Sequence, residues 1–98
     1  MELSHYRILL LTNFQSILTT MPEVHFFAAA RAATGVQSAQ LGATNLAELI
    51  QELSGAYPKL APILPGCSYL LDGVACKNVD TAISISSKID VLPRFAGG

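Results

Sequence analysis

Basic residues are scarce in this sequence, and they do not cluster. Six lysines and arginines are spread along 98 residues, and the formal net charge is −1. Proteins that bind nucleic acid depend on basic patches that contact the phosphates. The composition therefore argues against a nucleic-acid partner.

Metal ligands are equally scarce. The two cysteines, Cys67 and Cys76, do not form a Cys-x-x-Cys pair, and His5 and His25 lie far from both of them in the sequence. A zinc site would need about four nitrogen or sulfur ligands, so no metal site is expected. We interpret both cysteines as reduced thiols of a cytoplasmic protein, and His25 as a surface or partly buried strand residue.

A long apolar run is missing as well. Residues 8–11 are apolar, but Thr12-Asn13 interrupts them, far short of the roughly 20 apolar residues that a membrane helix needs. The segment resembles a weak signal peptide without a small-residue cleavage site, and no membrane partner is expected. Because Met21-Pro22 looks like a natural start, we predict that residues 1–21 are an N-terminal extension, non-native or from a misassigned start codon. Residues 22–98 then form the domain.

Apolar residues are abundant by contrast, at 51% of the sequence against 13% charged. This is the composition of a globular domain with a sparsely charged surface, and it indicates an apolar patch that a partner covers. A single domain of this size has little room for a complete active site. We therefore do not expect the chain to be an enzyme on its own.

The domain opens with a strand over residues 23–28, which are rich in β-forming residues. Alternation gives this strand an apolar face that holds Val24, Phe26 and Ala28. The opposite face holds His25 and Phe27. A loop is predicted over residues 29–34, and a weaker antiparallel strand over residues 36–41.

One amphipathic helix is predicted from Asn45. Asn45 caps the first turn, and Glu48 follows three residues later, which is the spacing of a capping box. Apolar residues then recur at the helical period, and they are Leu46, Leu49, Ile50, Leu53 and Tyr57. Pro58 prevents the helix from continuing, and the apolar stripe is interpreted as core packing.

The second half of the domain is patterned as strands. Residues 68–71 and 74–76 flank Asp72-Gly73, a strong signal for a two-residue hairpin. A short apolar segment follows at Ile83 and Ile85, and residues 88–92 form a last strand, which Pro93 ends. The order of strands and helix predicts an α+β fold with one main helix packed on a small mixed sheet.

The sequence ends in Gly97-Gly98. Neither residue has a reactive side chain, so any chemistry at this end belongs to the carboxylate of Gly98. Glycines are thin and conformationally free, and residues 93–98 are predicted to form a flexible tail that enters a narrow cleft. Two final glycines occur by chance in roughly one chain in two hundred, given glycine at about 7% of residues, so the tail alone does not establish a function.

The domain resembles the MoaD/ThiS-like family of ubiquitin-related sulfur carriers, most closely the small subunit of molybdopterin synthase. Phe26-Phe27-Ala28, followed by Arg31 and Gly35, matches the family's FFA..R...G opening. The last seven residues match its LPP.AGG ending, with Arg94 in place of the second proline. The resemblance implies a β-grasp (ubiquitin-like) fold.

The resemblance also implies a carrier cycle. An E1-like adenylyltransferase would use ATP at its own site to adenylate Gly98, and a sulfur donor would then convert the adenylate to a thiocarboxylate. The tail would deliver this sulfur to a pterin precursor in the large subunit of molybdopterin synthase. Gly98 is then the covalent carrier, Gly97 gives access, and the chain itself binds no cofactor.

Partner contacts are expected at two places in this scheme. Arg94 and Phe95 would contact the channel that the tail enters. Phe27 and Arg31 would contribute to the docking surface of the body, although Arg31 fits a solvated loop arginine equally well.

Three other functions remain open at this point. The chain could carry sulfur for thiazole or cysteine synthesis, although the opening and ending motifs favour the molybdopterin assignment. It could be a protein modifier that forms isopeptide bonds to lysines. It could also be a binding module with an incidental tail.

Overall fold

The computed structural model describes residues 21–94. Residues 1–20 of the predicted extension and residues 95–98 of the predicted tail lie outside this part of the chain, including Phe95, Gly97 and Gly98. Within residues 21–94, five strands form one sheet: β1 (Glu23–Phe26), β2 (Ser38–Gln40), β3 (Cys67–Leu71), β4 (Val74–Ala75) and β5 (Lys88–Pro93). Two helices, α1 (Ala28–Thr34) and α2 (Leu46–Ala56), and a 3₁₀ turn (Leu64–Gly66) complete the described elements.

The last strand lies in the middle of the sheet, whose order is β2-β1-β5-β3-β4. β5 runs parallel to β1 and antiparallel to β3, so the sheet is mixed. Ile89 and Val91 are buried on one face of β5, as the two-residue period of a strand requires. The expected β-grasp arrangement is thereby confirmed, with β1 and the last strand β5 side by side inside the sheet and β2 at one edge.

Helix α2 covers one face of the sheet and forms the core with it. Leu46, Leu49 and Leu53 are buried on the helix, and they pack in one cluster with the inward residues of β1, β5 and β3. The ring of Tyr57, just beyond the helix, meets Phe26 edge to face at 5.6 Å between ring centroids. The predicted apolar stripe of the helix is therefore core packing.

The start of α2 is capped as predicted, with one difference. The Asn45 side chain accepts a hydrogen bond from the Glu48 backbone N–H at 2.7 Å. The Glu48 carboxylate, however, accepts from the backbone N–H of Thr44 at 2.7 Å, one residue before the position that a capping box uses. Both bonds fix the chain direction as it enters the helix.

The predicted loop over residues 29–34 is wrong, because these residues form helix α1. The segment is mostly alanine, the residue with the highest helix propensity, and Gly35 ends the helix in the left-handed conformation at φ 77°. The first strand accordingly ends at Phe26, two residues early. Ala28, predicted to face the core, is exposed and has a φ of 51°.

The hairpin between β3 and β4 is confirmed at Asp72-Gly73. Both residues have positive φ, 50° and 84°, which is the combination that a type I′ turn requires. The Asp72 carboxylate also accepts a hydrogen bond from the Lys88 backbone N–H at 2.9 Å. This bond joins the turn to the start of β5.

The segment before β5 is only partly apolar in its packing. Ile83 is buried, whereas Ile85 is 62% exposed, because a turn at residues 85–86 lifts it away from the core. Ser87 is buried there and its hydroxyl accepts a hydrogen bond from the Ser84 backbone N–H at 3.0 Å.

β5 continues through Pro93, which is in register with Cys67, one residue beyond the predicted strand. In residues 21–94 no helix is long and apolar enough to cross a membrane.

Candidate functional site

The central strand leads directly into the predicted tail. β1 and β5 are parallel, with Phe26 in register with Val91, so both strands end at the same edge of the sheet. Arg94, the last described residue, is exposed just beyond that edge. The tail therefore leaves from the middle of the sheet, beside the end of β1.

Phe27 lies at the edge from which the tail leaves. It follows β1 in extended conformation and occupies the N-cap position of α1. Phe26 is fully buried, whereas Phe27 is 36% exposed, since successive side chains of an extended segment point to opposite faces. Phe27 is thus a partly exposed aromatic residue on the face opposite to Phe26.

Arg31 contacts Phe27 although it is exposed to solvent. Its Nε donates a hydrogen bond to the backbone carbonyl of Phe26 at 3.2 Å. Its guanidinium carbon lies 5.9 Å from the centroid of the Phe27 ring, within the range of a cation–π interaction. Arg31 belongs to α1 and not to the predicted loop, and both of these contacts are local.

Together these residues define a surface beside the start of the tail. We refer to Phe27, Arg31, Leu92 and Arg94 as the tail-exit surface. Leu92 is half-buried and follows the inward Val91, so alternation places it on the same outer side as Phe27. The surface combines apolar area with cationic groups, which are the side-chain types enriched where proteins bind each other.

A separate cavity of about 270 Å³ lies on the other side of the sheet, between β3 and the start of α2. Its lining includes Cys67, Cys76 and Tyr69. Both thiols are free, and burial raises the pKa of the Cys67 thiol, which lowers the fraction of reactive thiolate. Nothing in this cavity therefore marks Cys67 as an activated nucleophile.

Tyr69 is also held in its neutral form. Its hydroxyl donates to the Leu64 carbonyl at 3.2 Å, and burial, with a smaller contribution from Cys67, raises the pKa of Tyr69 to about 12. Among residues 21–94 no group of three or more histidines, cysteines and acids could hold a metal ion.

Sequence reasoning missed the link between Phe27 and Arg31. Both residues were identified singly. Their contact depends on helix α1, whose first turn brings Arg31 back over Phe27, the residue at its N-cap position. The alanine content of residues 28–33 and the glycine that follows are the signals that could have predicted this helix.

Comparison with known proteins gives one family match. The sequence model of the ThiS family matches residues 24–98. A search of the curated proteins gives no match.

Solved structures with the same fold include three from different systems. Subunit 1 in the complex of subunits 1 and 2 of molybdopterin-converting factor from Helicobacter pylori is 26% identical, with a TM-score of 0.61 over 80% of this chain and 99% of that chain. The small archaeal modifier protein 1 from Methanosarcina acetivorans is 21% identical, with a TM-score of 0.72 over 79% and 95%. A structure of the BexX/CysO complex from Amycolatopsis orientalis gives 15% identity and a TM-score of 0.67 over 79% and 99%.

Proposed function

This chain belongs to the ThiS family, and we propose that it is the sulfur carrier of molybdopterin synthesis. In this proposal the carboxylate of Gly98, the last residue of the sequence, carries the sulfur as a thiocarboxylate. The chain acts as the small subunit of molybdopterin synthase and has no catalytic activity alone. Its sites are Gly98 as carrier, Gly97 for access, and Arg94 and Phe95 as contacts with the partner's channel.

The position of β5 is the observation that supports this proposal most. A central strand, paired on both sides, leads into the sequence Arg94-Phe95-Ala96-Gly97-Gly98. A carrier must hold its end at a defined place relative to the surface that docks, because correct positioning is a large part of the rate of group transfer. The tail-exit surface lies beside that strand and supplies such a docking surface.

The chemistry needs activation by a partner. A carboxylate is a poor electrophile, so an E1-like adenylyltransferase would join the Gly98 carboxylate to the α-phosphate of ATP and release pyrophosphate. The terminal sulfur of a persulfide on a donor protein would then attack the acyl carbon, and AMP would leave. A thiol reductant would cleave the remaining sulfur–sulfur bond to the donor and leave the thiocarboxylate on Gly98. ATP is bound by the partner in this scheme, and the chain itself needs no cofactor. The two free thiols, Cys67 and Cys76, are consistent with the reducing cytoplasm.

Delivery of the sulfur assigns a role to the large subunit of molybdopterin synthase. That subunit would bind the tail-exit surface, admit the slim Gly97-Gly98 end to its own active site and present the pterin precursor to the thiocarboxylate. The similar fold of subunit 1 in the Helicobacter pylori complex of subunits 1 and 2 supports this assignment.

A protein modifier is the second candidate. It is supported by the similar fold of the small archaeal modifier protein 1. The modifier would also use an adenylated Gly98, but the acyl group would pass to a lysine amine and form an isopeptide bond. The two candidates therefore differ in what remains attached to Gly98.

Co-purification with the large subunit from the same organism, followed by intact mass of this chain, separates these functions. We expect a stable complex and a mass in which one terminal oxygen is replaced by sulfur. Lysine-linked adducts without the complex would favour the modifier instead. A chain extended by one residue after Gly98 is the matched control, since it keeps the fold and should lose the sulfur.

A further inference from the structure

Cys67 and Cys76 are the two thiols of the chain, and the proposed sulfur transfer uses neither of them. The β3–β4 hairpin separates them in the sequence, but both line the cavity of about 270 Å³ between β3 and the start of α2. Both are half-buried and pack against the core. Two thiols that share a cavity can act together as one site.

Strand pairing explains why these thiols meet. The Cys76 backbone N–H donates a hydrogen bond to the Tyr69 carbonyl at 2.8 Å, which places Cys76 opposite Tyr69, one step beyond the pair of Leu70 and Ala75. Cys67 precedes Tyr69 by two residues on β3, so alternation puts it on the same inner face. Cys67 and Cys76 are therefore diagonal neighbours across the hairpin, and such neighbours are about 7–8 Å apart.

This separation suits a bridging ion better than a disulfide. A disulfide joins Cα atoms that lie about 4.4–6.8 Å apart, through one sulfur–sulfur bond of about 2.05 Å. An ion between two thiolates replaces that bond by two metal–sulfur bonds, each about 2.3 Å long in the case of zinc. The two sulfur atoms can then lie about 4.6 Å apart, and the cavity provides room for the ion.

The neighbouring groups determine which ion fits. Among residues 21–94 no histidine or carboxylate joins the two thiols in a group of three ligands, so zinc would lack its usual four. The Cys67 thiol donates to the Ile63 carbonyl at 3.4 Å, and the Cys76 thiol donates to the Asn78 carbonyl at 3.7 Å. Thiolates are soft ligands that select monovalent copper, and this ion is stable with two of them.

Lys77 complements the charge of such a complex. Its side chain lines the same cavity as the two thiols. One monovalent cation bound to two thiolates carries one negative charge, which a nearby ammonium group stabilises.

We propose that Cys67 and Cys76 together bind one monovalent copper ion in this cavity as a two-coordinate bis-thiolate. Each thiol releases its proton to solvent when its sulfur binds the ion, so two protons leave for each ion bound. No electron is transferred. The bound ion joins β3, which is paired with β5, to the chain that follows β4. This inference goes beyond the proposed function and does not depend on it, since Gly98 takes no part.

The test is a titration of the full, reduced chain with copper(I) against bicinchoninate, a chelator whose colour reports the ion it holds. We expect one ion per chain. Cys67→Ser and Cys76→Ser should each raise Kd by more than about 100-fold, since changes that spare the ligands of a metal site already cost about 10–100-fold. Val79→Ala is the matched control, because Val79 lines the same cavity without a donor side chain, and it should leave Kd unchanged.

Thermal unfolding of the same chains separates loss of binding from loss of fold. A serine hydroxyl can donate to the same backbone carbonyl as the thiol that it replaces, so both serine variants should fold without copper. One equivalent of copper(I) should raise the Tm of the wild type, because a ligand of the folded state stabilises it. The same addition should leave the Tm of either serine variant unchanged.

Several results would overturn this inference. Wild-type chain that takes no copper from the chelator would do so, and so would a single serine variant that binds as tightly as the wild type. A loss in Val79→Ala as large as in the cysteine variants would indicate packing rather than ligation. A copper-dependent dimer in size-exclusion chromatography would place the two thiols on different chains. None of these results bears on sulfur transfer to Gly98, so the proposed function is tested separately.

Discussion

The guanidinium carbon of Arg31 lies 5.9 Å from the centre of the Phe27 ring. Arg31 Nε donates a hydrogen bond to the backbone carbonyl of Phe26, the residue before Phe27. The hydrogen bond restricts the arginine, and the arginine in turn covers one side of the ring. Phe27 is therefore a partly exposed aromatic residue that lies beside the start of the tail and contacts a cation. Aromatic residues and arginines are the side chains most often found as binding hot spots.

Replacing Phe27 should weaken docking. We expect Phe27→Ala to reduce the binding free energy for the large subunit by about 2 kcal/mol, the level of an interface hot spot. Unfolding in urea is measured beside binding, because Phe27 is only 36% exposed and its truncation also removes buried apolar area. The control is Val74→Ala on β4, which is 68% exposed and lies at the far edge of the sheet. Equal effects of the two variants on binding would contradict this role of Phe27.

Leu53 tests the assignment of the α2 stripe to the core. It is fully buried, so Leu53→Ala should cost about 2–5 kcal/mol of unfolding free energy. Leu53→Asp should prevent folding, because it places an unpaired charge in the core. Gln51→Asp, on the exposed side of the same helix, should change stability by less than about 0.5 kcal/mol. Circular dichroism with urea titration measures all three, and a folded Leu53→Asp chain would refute the packing.

The cap of α2 gives a smaller expected effect. Asn45→Ala removes the acceptor for the Glu48 backbone N–H and should cost about 1 kcal/mol. Asn45→Asp keeps that acceptor and adds a charge favourable to the helix N-terminus, so it should retain the wild-type stability. Chemical denaturation of the three chains checks this, and an Asn45→Ala chain as stable as wild type would show that the hydrogen bond is not used.

Tyr69 makes the free energy of unfolding depend on pH in the alkaline range. Its pKa rises from an ordinary value of 10.0 to about 12 in the fold, because it is buried and lies near Cys67. The unfolded chain releases this proton first, so the contribution of Tyr69 is complete below pH 10 and is lost as the pH rises towards 12. The difference in unfolding free energy between wild type and Tyr69→Phe, measured across that range, isolates the tyrosine from the lysines. A difference that stays constant with pH would contradict the burial of a neutral tyrosine.

Much of the fold could be predicted because several local signals agreed. Asn45, the leucines of α2 and the Asp72-Gly73 turn each indicate one conformation, and the structure has all three. Helix α1 could not be predicted from periodicity, because Ala30 is its only buried residue and no apolar stripe develops. The predicted first strand was too long for the same reason, because it included the start of α1.

The contact between Phe27 and Arg31 could not be predicted from the sequence. Both residues were identified by resemblance, but their contact exists only because α1 returns the chain over Phe27. The strands that flank β5 were beyond local patterns as well, because the strand order results from long-range pairing.

Mass spectrometry of the purified chain shows whether Gly98 carries sulfur. The chain is incubated with the adenylyltransferase, ATP and a sulfur donor, and its intact mass and C-terminal peptide are recorded. We expect one oxygen of the Gly98 carboxylate to be replaced by sulfur only when ATP is present, and a chain extended beyond Gly98 to be unchanged. Two results would contradict sulfur transfer to Gly98. One is a chain that stays unmodified while the adenylyltransferase is active on its own carrier. The other is sulfur found at a position other than Gly98.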